Sequence, residues 1–138
     1  MKKYTFTIVI AILLAATGIY IAHNNSSKPA QNTQQPPSLS AKIESAGGQL
    51  IDVRTPEEYM TGHANGAINI PLADIQKGDF TKIIKNKPLY VYCHTGVRAG
   101  EAKTILEQAG YKSVTSLGAL SNWQAQGGLV CKSTKPSC

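Results

Sequence analysis

The segment Val91-Tyr92-Cys93-His94-Thr95-Gly96-Val97-Arg98 sets a thiol at the end of an apolar run, followed by a short loop with one glycine and an arginine. With a buried strand before it and a helix after it, such a loop curls back and presents consecutive backbone N–H groups to one point, a cradle for an anion. The N-terminus of the following helix adds partial positive charge at the same place. These surroundings favour the thiolate over the thiol, and the thiolate is the nucleophile. The chemistry on offer is covalent attack by Cys93 on a small anionic substrate. A plain buried cysteine at a strand end needs none of the glycine, arginine and helix start that follow it.

The neighbouring candidates divide by role. Arg98 either binds a substrate anion or ties the loop to a carboxylate such as Asp52. Asp52 and Arg54 flank the end of a second apolar stretch, where an internal ion pair supporting the loop fits them better than direct chemistry. His63 reads as a histidine hydrogen-bonded between two backbone segments. His94 lies inside the loop and is either merely exposed or a tuner of Cys93 and the entering substrate. Three scattered histidines without paired cysteine or carboxylate spacing give no metal site, and no cofactor is expected. Cys131 and Cys138 lie close together near the C-terminus. A local disulfide that staples the tail is expected of them in an oxidising compartment. The alternative is that one of them resolves a modified Cys93 or meets a redox partner.

Strands and helices alternate around these residues. Helix is predicted over 40–46 and strand over 49–53. Thr55-Pro56-Glu57-Glu58 then forms a capping box with proline at the first helical position, and Glu58 is accounted for by that role. Strand follows over 67–70 and helix over 79–85. A buried strand over 88–92 leads into the Cys93 loop. From Arg98 to Ala109 the positions Ala99, Ala102, Ile105, Leu106 and Ala109 repeat at helical spacing, and Gly110 ends the run. Strand over 113–117 and helix over 119–125 complete the pattern, with Trp123 as core packing for that helix. This alternation predicts an α/β fold with a mostly parallel sheet covered by helices. In such sheets, ligands bind beyond the carboxyl ends of the strands.

Over Leu39 to Gly127 the chain resembles the single-domain rhodanese family of sulfurtransferases. Three stretches carry the resemblance. The first is Leu50-Ile51-Asp52-Val53-Arg54-Thr55-Pro56-Glu57-Glu58-Tyr59, with Gly62-His63 and Gly66-Ala67-Ile68-Asn69-Ile70-Pro71 after it. The second is the loop Cys93 to Arg98. The third is Leu117-Gly118 with Trp123 and Gly127-Gly128. The resemblance implies a mostly parallel five-stranded sheet flanked by helices, and transfer of a sulfane sulfur through a Cys93 persulfide. The donor would be a small thiosulfate-like anion and the acceptor cyanide or a thiol. Cys93 would be catalytic, and the N–H groups of His94, Thr95, Gly96, Val97 and Arg98 would hold the anion, with Asp52 and Arg54 supporting the loop. Four residues separate Cys93 from Arg98. This matches the sulfurtransferase loop; phosphatases and arsenate reductases of similar fold carry one residue more. Two rivals stand beside this reading: a thiol-redox protein using Cys93 with Cys131 and Cys138, and a non-catalytic rhodanese-like binding module.

The chain as a whole divides into four parts. Residues 1–22 open with Met1-Lys2-Lys3 and continue as an uncharged apolar run over 4–22, a signal peptide or an inner-membrane anchor. Lys2 and Lys3 orient the remainder to the extracytoplasmic side, in the periplasm or on the outer face of the cytoplasmic membrane. Residues 23–37 are a polar linker, 38–130 the folded domain, and 131–138 the tail. The formal charge is +6, but the domain's lysines are scattered singly and not interleaved with aromatics. That distribution excludes a nucleic-acid face and leaves a modest field that favours small anions. Oligomeric state is not encoded in any of these features.

Overall fold

A computed structural model describes residues 37–138. The segment 1–22 and, but for Pro37, the linker 23–37 lie outside the described residues. Among the described residues no helix is long and apolar enough to cross a membrane. The chain enters through α1 (Leu39–Ser45), capped by Ser38 Oγ accepting the Ala41 N–H at 3.3 Å. It passes into β1 (Gln49–Asp52) and then α2 (Pro56–Thr61). The capping box is closed in both directions: the Glu58 N–H donates to Thr55 Oγ1 at 3.3 Å, and the Thr55 N–H to Glu58 Oε2 at 3.1 Å. β2 (His63–Ala64), β3 (Ile68–Asn69), α3 (Leu72–Gln76), β4 (Leu89–Cys93), α4 (Val97–Gln108), β5 (Val114–Ala119), α5 (Leu120–Ala125) and β6 (Val130–Cys131) follow.

The main sheet is parallel throughout, in the order β3-β1-β4-β5. It has four strands where the resemblance implied five. β2 and β6 pair antiparallel as a separate ribbon, His63 opposite Cys131 and Ala64 opposite Val130. Each is two residues long, too short to leave an alternation that sequence reading detects.

Strand parity decides which side chains meet, because successive residues point to opposite faces. Ile51, Val53, Val91 and Cys93 face one core with Ala99, Ala102 and Leu106 of α4. Leu50 and Tyr92 face the other core, with Ile43 of α1 and Trp123 of α5. Cys93 is therefore on the α4 side, and its neighbour Tyr92 is on the side where Asp52 lies.

One predicted helix is displaced. Residues 79–85 form turns rather than a helix, because the Asp79 carboxylate takes the Thr81 N–H at 3.1 Å and its hydroxyl at 2.7 Å. The helix of this connection is instead α3, which starts directly after Pro71, whose φ of −53° is already set for helix entry. Ile75 and Ile83 are both buried, so the connection still packs on the sheet although the helix expected over 79–85 is absent.

Candidate active site

β1 and β4 are adjacent and parallel, with Asp52 opposite Tyr92. Their carboxyl ends, and the helices that follow them, therefore begin side by side. Cys93 ends β4 with its side chain fully buried. Its Sγ accepts the Gly96 N–H at 3.0 Å. Gly96 has φ 102° and sits at the N-cap of α4, so the chain turns sharply enough for its amide to face back to the sulfur. Among the described residues, the N–H groups of His94, Thr95, Val97 and Arg98 donate to no protein acceptor. They are left for solvent or an anion. His94, Thr95 and Val97 are exposed, forming the rim over the sulfur.

A bulge brings β5 against this loop. The β4–β5 register shifts between Val91 and Tyr92, so that Tyr92 pairs with Gly118 instead of Leu117. Gly118 has φ 76°, and a Cβ built on Gly96 would lie 3.3 Å from its Cα. Two backbones thus meet where neither residue carries a side chain. Gly96→Ala is expected to cost about 1–3 kcal/mol through its positive φ and to slow reaction of Cys93 at least tenfold. Urea denaturation followed by the buried Trp123, and the rate of Cys93 alkylation, check the two parts.

Arg98 does not reach Asp52, as one reading of the sequence had it. It forms a two-pronged pair with Glu58, Nη1 to Oε2 at 2.6 Å and Nη2 to Oε1 at 2.8 Å. Asp52 is already saturated. Its Oδ1 takes the Arg54 N–H at 2.9 Å, and its Oδ2 takes Arg54 Nη2 at 2.6 Å and the Tyr92 hydroxyl at 2.7 Å. Arg54 Nη2 also donates to Gly62 O at 2.5 Å. Burial disfavours the Arg54 cation, but the Asp52 hydrogen bonds and charge outweigh it, and its pKa stands above the ordinary value. Burial, reinforced by the Asp52 charge, holds the Tyr92 hydroxyl in its neutral, donating form. Asp52 and Arg54 thus form the expected ion pair, beneath β4 rather than beside the sulfur. Asn69 Nδ2 pins the turn after β1 by donating to Asp52 O at 3.0 Å and Arg54 O at 2.9 Å.

Sequence reasoning missed Glu58 as the partner of Arg98. The capping box fixes Glu58 one turn into α2, but what brings it to Arg98 is the parallel β1–β4 pairing, which the residues around neither one encode. The Arg98 hydrogen bonds lower the Glu58 carboxyl from 4.5 to about 2. The same pair raises Arg98, with a smaller contribution from the Cys93 sulfur. Because the folded value is depressed, Glu58 adds stability above its ordinary pKa and loses it as pH falls from about 4.5 toward 2. The pair is about one-third exposed, so its worth is about 0.5–1 kcal/mol. Glu58→Gln is expected to flatten that part of the stability–pH curve, measured by urea midpoints between these two pH values.

His63 is fully buried, with Nδ1 3.0 Å from Tyr59 O and Nε2 2.9 Å from Lys135 O. It bridges two backbone segments. Trp123 is buried in the core and donates Nε1–H to Leu129 O at 2.8 Å. Cys131 and Cys138 are joined as a disulfide, and Cys93 is the free cysteine. A cavity of about 380 Å³ bordered by Lys85, Pro88, Tyr111 and Lys112 opens near the amino ends of β4 and β5, away from Cys93. Among the described residues no cluster of His, Cys, Asp or Glu could hold a metal ion.

The family profile described as Rhodanese-like domain matches residues 35–126. Thiosulfate sulfurtransferase PspE of Escherichia coli (strain K12) is 44% identical over 78 residues, spanning 56% of this chain and 75% of that protein. Thiosulfate sulfurtransferase 16, chloroplastic, of Arabidopsis thaliana is 34% identical over 119 residues, spanning 75% of this chain and 98% of that protein. Among solved structures, a rhodanese with anions from E. coli aligns with a TM-score of 0.51 at 42% identity, over 54% of this chain and 89% of that one. A rhodanese-related protein from Thermoplasma volcanium aligns with a TM-score of 0.58 at 27% identity, over 66% of this chain and 89% of that one.

Proposed function

The chain belongs to the rhodanese-like domain family, and on that premise we propose that it is a sulfurtransferase working through a persulfide on Cys93. The observation that carries this reading is the Cys93 loop. A free thiol receives the Gly96 N–H, while the N–H groups of His94, Thr95, Val97 and Arg98 remain open to an anion. In the first half-reaction the Cys93 thiolate attacks the outer sulfur of a thiosulfate-type donor. The new bond is Sγ–S, the donor's S–S bond breaks, and sulfite leaves with the electron pair. In the second, cyanide or an acceptor thiolate attacks the outer persulfide sulfur and regenerates the Cys93 thiolate. Open N–H groups stabilise the charge on both the persulfide and the departing sulfite. Arg98 adds positive charge at the rim, shared with Glu58.

Four residues between Cys93 and Arg98 favour sulfur transfer over phosphate-ester hydrolysis. The thiol-redox reading is weakened because Cys131 and Cys138 are bonded to each other. The disulfide and the basic, apolar N-terminus both support action outside the cytoplasm, with residues 38–130 as the catalytic domain and 131–138 as a stapled tail. Incubation with thiosulfate and cyanide is expected to release thiocyanate and sulfite in equal amounts. Hydrolysis of an aryl phosphate without thiocyanate would overturn the assignment.

A further inference from the structure

The residues after β6 close into a disulfide ring from Cys131 to Cys138. This ring is seated on the four-residue segment His63–Gly66. The His63 ring meets Lys135 O at 2.9 Å, the Gly66 N–H donates to Pro136 O at 2.7 Å, and the Cys138 N–H donates to Asn65 Oδ1 at 3.3 Å. Just before the ring, the Asn65 N–H donates to Leu129 O at 2.9 Å.

The other side of this segment and its preceding residue, Gly62, reach the candidate site. The Ala64 N–H donates to the Tyr92 hydroxyl at 2.9 Å, next in sequence to Cys93. Gly62 O receives Arg54 Nη2. The His63 ring stacks on Tyr59, with centroids 3.8 Å apart and planes 10° from parallel, and Tyr59 adjoins Glu58, the partner of Arg98. The segment therefore lies between the ring on one side and the Tyr92–Asp52–Arg54 network on the other.

We propose that the disulfide-closed tail is a positioning element for Cys93, holding His63–Gly66 so that this segment fixes Tyr92, Arg54 and Tyr59. The proposal rests on the sulfurtransferase reading for the reaction it serves. The ring contacts this segment through backbone groups: the carbonyls of Lys135 and Pro136 and the Cys138 N–H. Ring closure, not side-chain identity, is what matters. An open tail would have to be ordered residue by residue to make the same bonds.

The test uses the full chain, purified in detergent, as wild type and as the Cys131→Ala/Cys138→Ala, Cys138→Ala and Lys135→Ala variants. Opening the ring is expected to speed amide exchange at Ala64 and Gly66 at least tenfold. It is expected to lower kcat for thiosulfate about threefold to tenfold with KM unchanged, because the tail touches none of the anion-binding N–H groups. Cys138→Ala retains the buried Cys131 side chain and is expected to show the same pattern if the double variant folds poorly. Lys135→Ala is expected to match wild type. Unchanged exchange at Ala64, or faster exchange with unchanged kcat, would overturn the positioning role. If wild type takes up no sulfur at all, the function assignment fails separately. The alkylation rate of Cys93 in open and closed forms then decides the tail's role, equal rates overturning it.

Discussion

Cys93→Ser is expected to abolish sulfur uptake, lowering the rate by more than about 1,000-fold, the scale seen when a covalent nucleophile is removed. The loss follows from chemistry rather than from structure. Serine fits the same space, and its hydroxyl can take the Gly96 N–H that the sulfur accepts at 3.0 Å. A hydroxyl in the core beside Val91 and Ala99 costs about 1 kcal/mol at most when its hydrogen bond is made. Serine, however, neither ionises as a thiol does nor forms a stable S–S bond to a transferable sulfur. Urea midpoints should therefore remain close to wild type while mass gain with thiosulfate and thiocyanate release both vanish. Retained uptake in this variant would move the sulfur-carrying group to another residue.

Asp52→Ala carries the largest expected stability effect. It strips the Arg54 guanidinium of its charge partner, and both residues are buried, with side-chain exposures of 5% and 0%. Removing one member of such a pair costs about 3–5 kcal/mol, because the other charge stays buried and uncompensated. The Tyr92 hydroxyl loses its acceptor as well. Set against the roughly 5–15 kcal/mol typical of a whole domain, this is a large fraction of the total stability. Replacing Asp52 and Arg54 together with apolar residues should recover much of the loss, since no lone charge remains. The exchange rate of the Ala64 amide, which hydrogen-bonds Tyr92, reports whether the segment above the pair has loosened. A loss below 1 kcal/mol in urea titration would show that the pair is not the keystone of this end of the sheet.

Local chemistry was legible in the sequence wherever it is short-range. The capping box at Thr55, the strand–Cys93–helix junction and the helical spacing from Ala99 onward each depend on a few consecutive residues, and the fold follows them. The Asp52–Arg54 pair was legible for the same reason, lying two residues apart on one turn. Partners set by register were not. Arg98 finds Glu58 only because β1 and β4 are adjacent and parallel, a fact that neither residue's neighbourhood encodes. Likewise the β2–β6 ribbon joins residues far apart in sequence, His63 with Cys131 and Ala64 with Val130, through two-residue strands. The expected helix over 79–85 failed because the Asp79 side chain competes for backbone donors. The bulge that sets Gly118 against Gly96 was signalled only by glycine itself.

Whether Cys93 carries the transferred sulfur is read from the intact mass of the chain before and after incubation with thiosulfate. A gain of one sulfur atom is expected, localised by peptide mapping to Cys93, released by cyanide as thiocyanate, and reaching the same final extent, though more slowly, when Cys131 and Cys138 are replaced together. No gain with thiosulfate or any other sulfane donor, or a gain that maps to the tail cysteines, would contradict it.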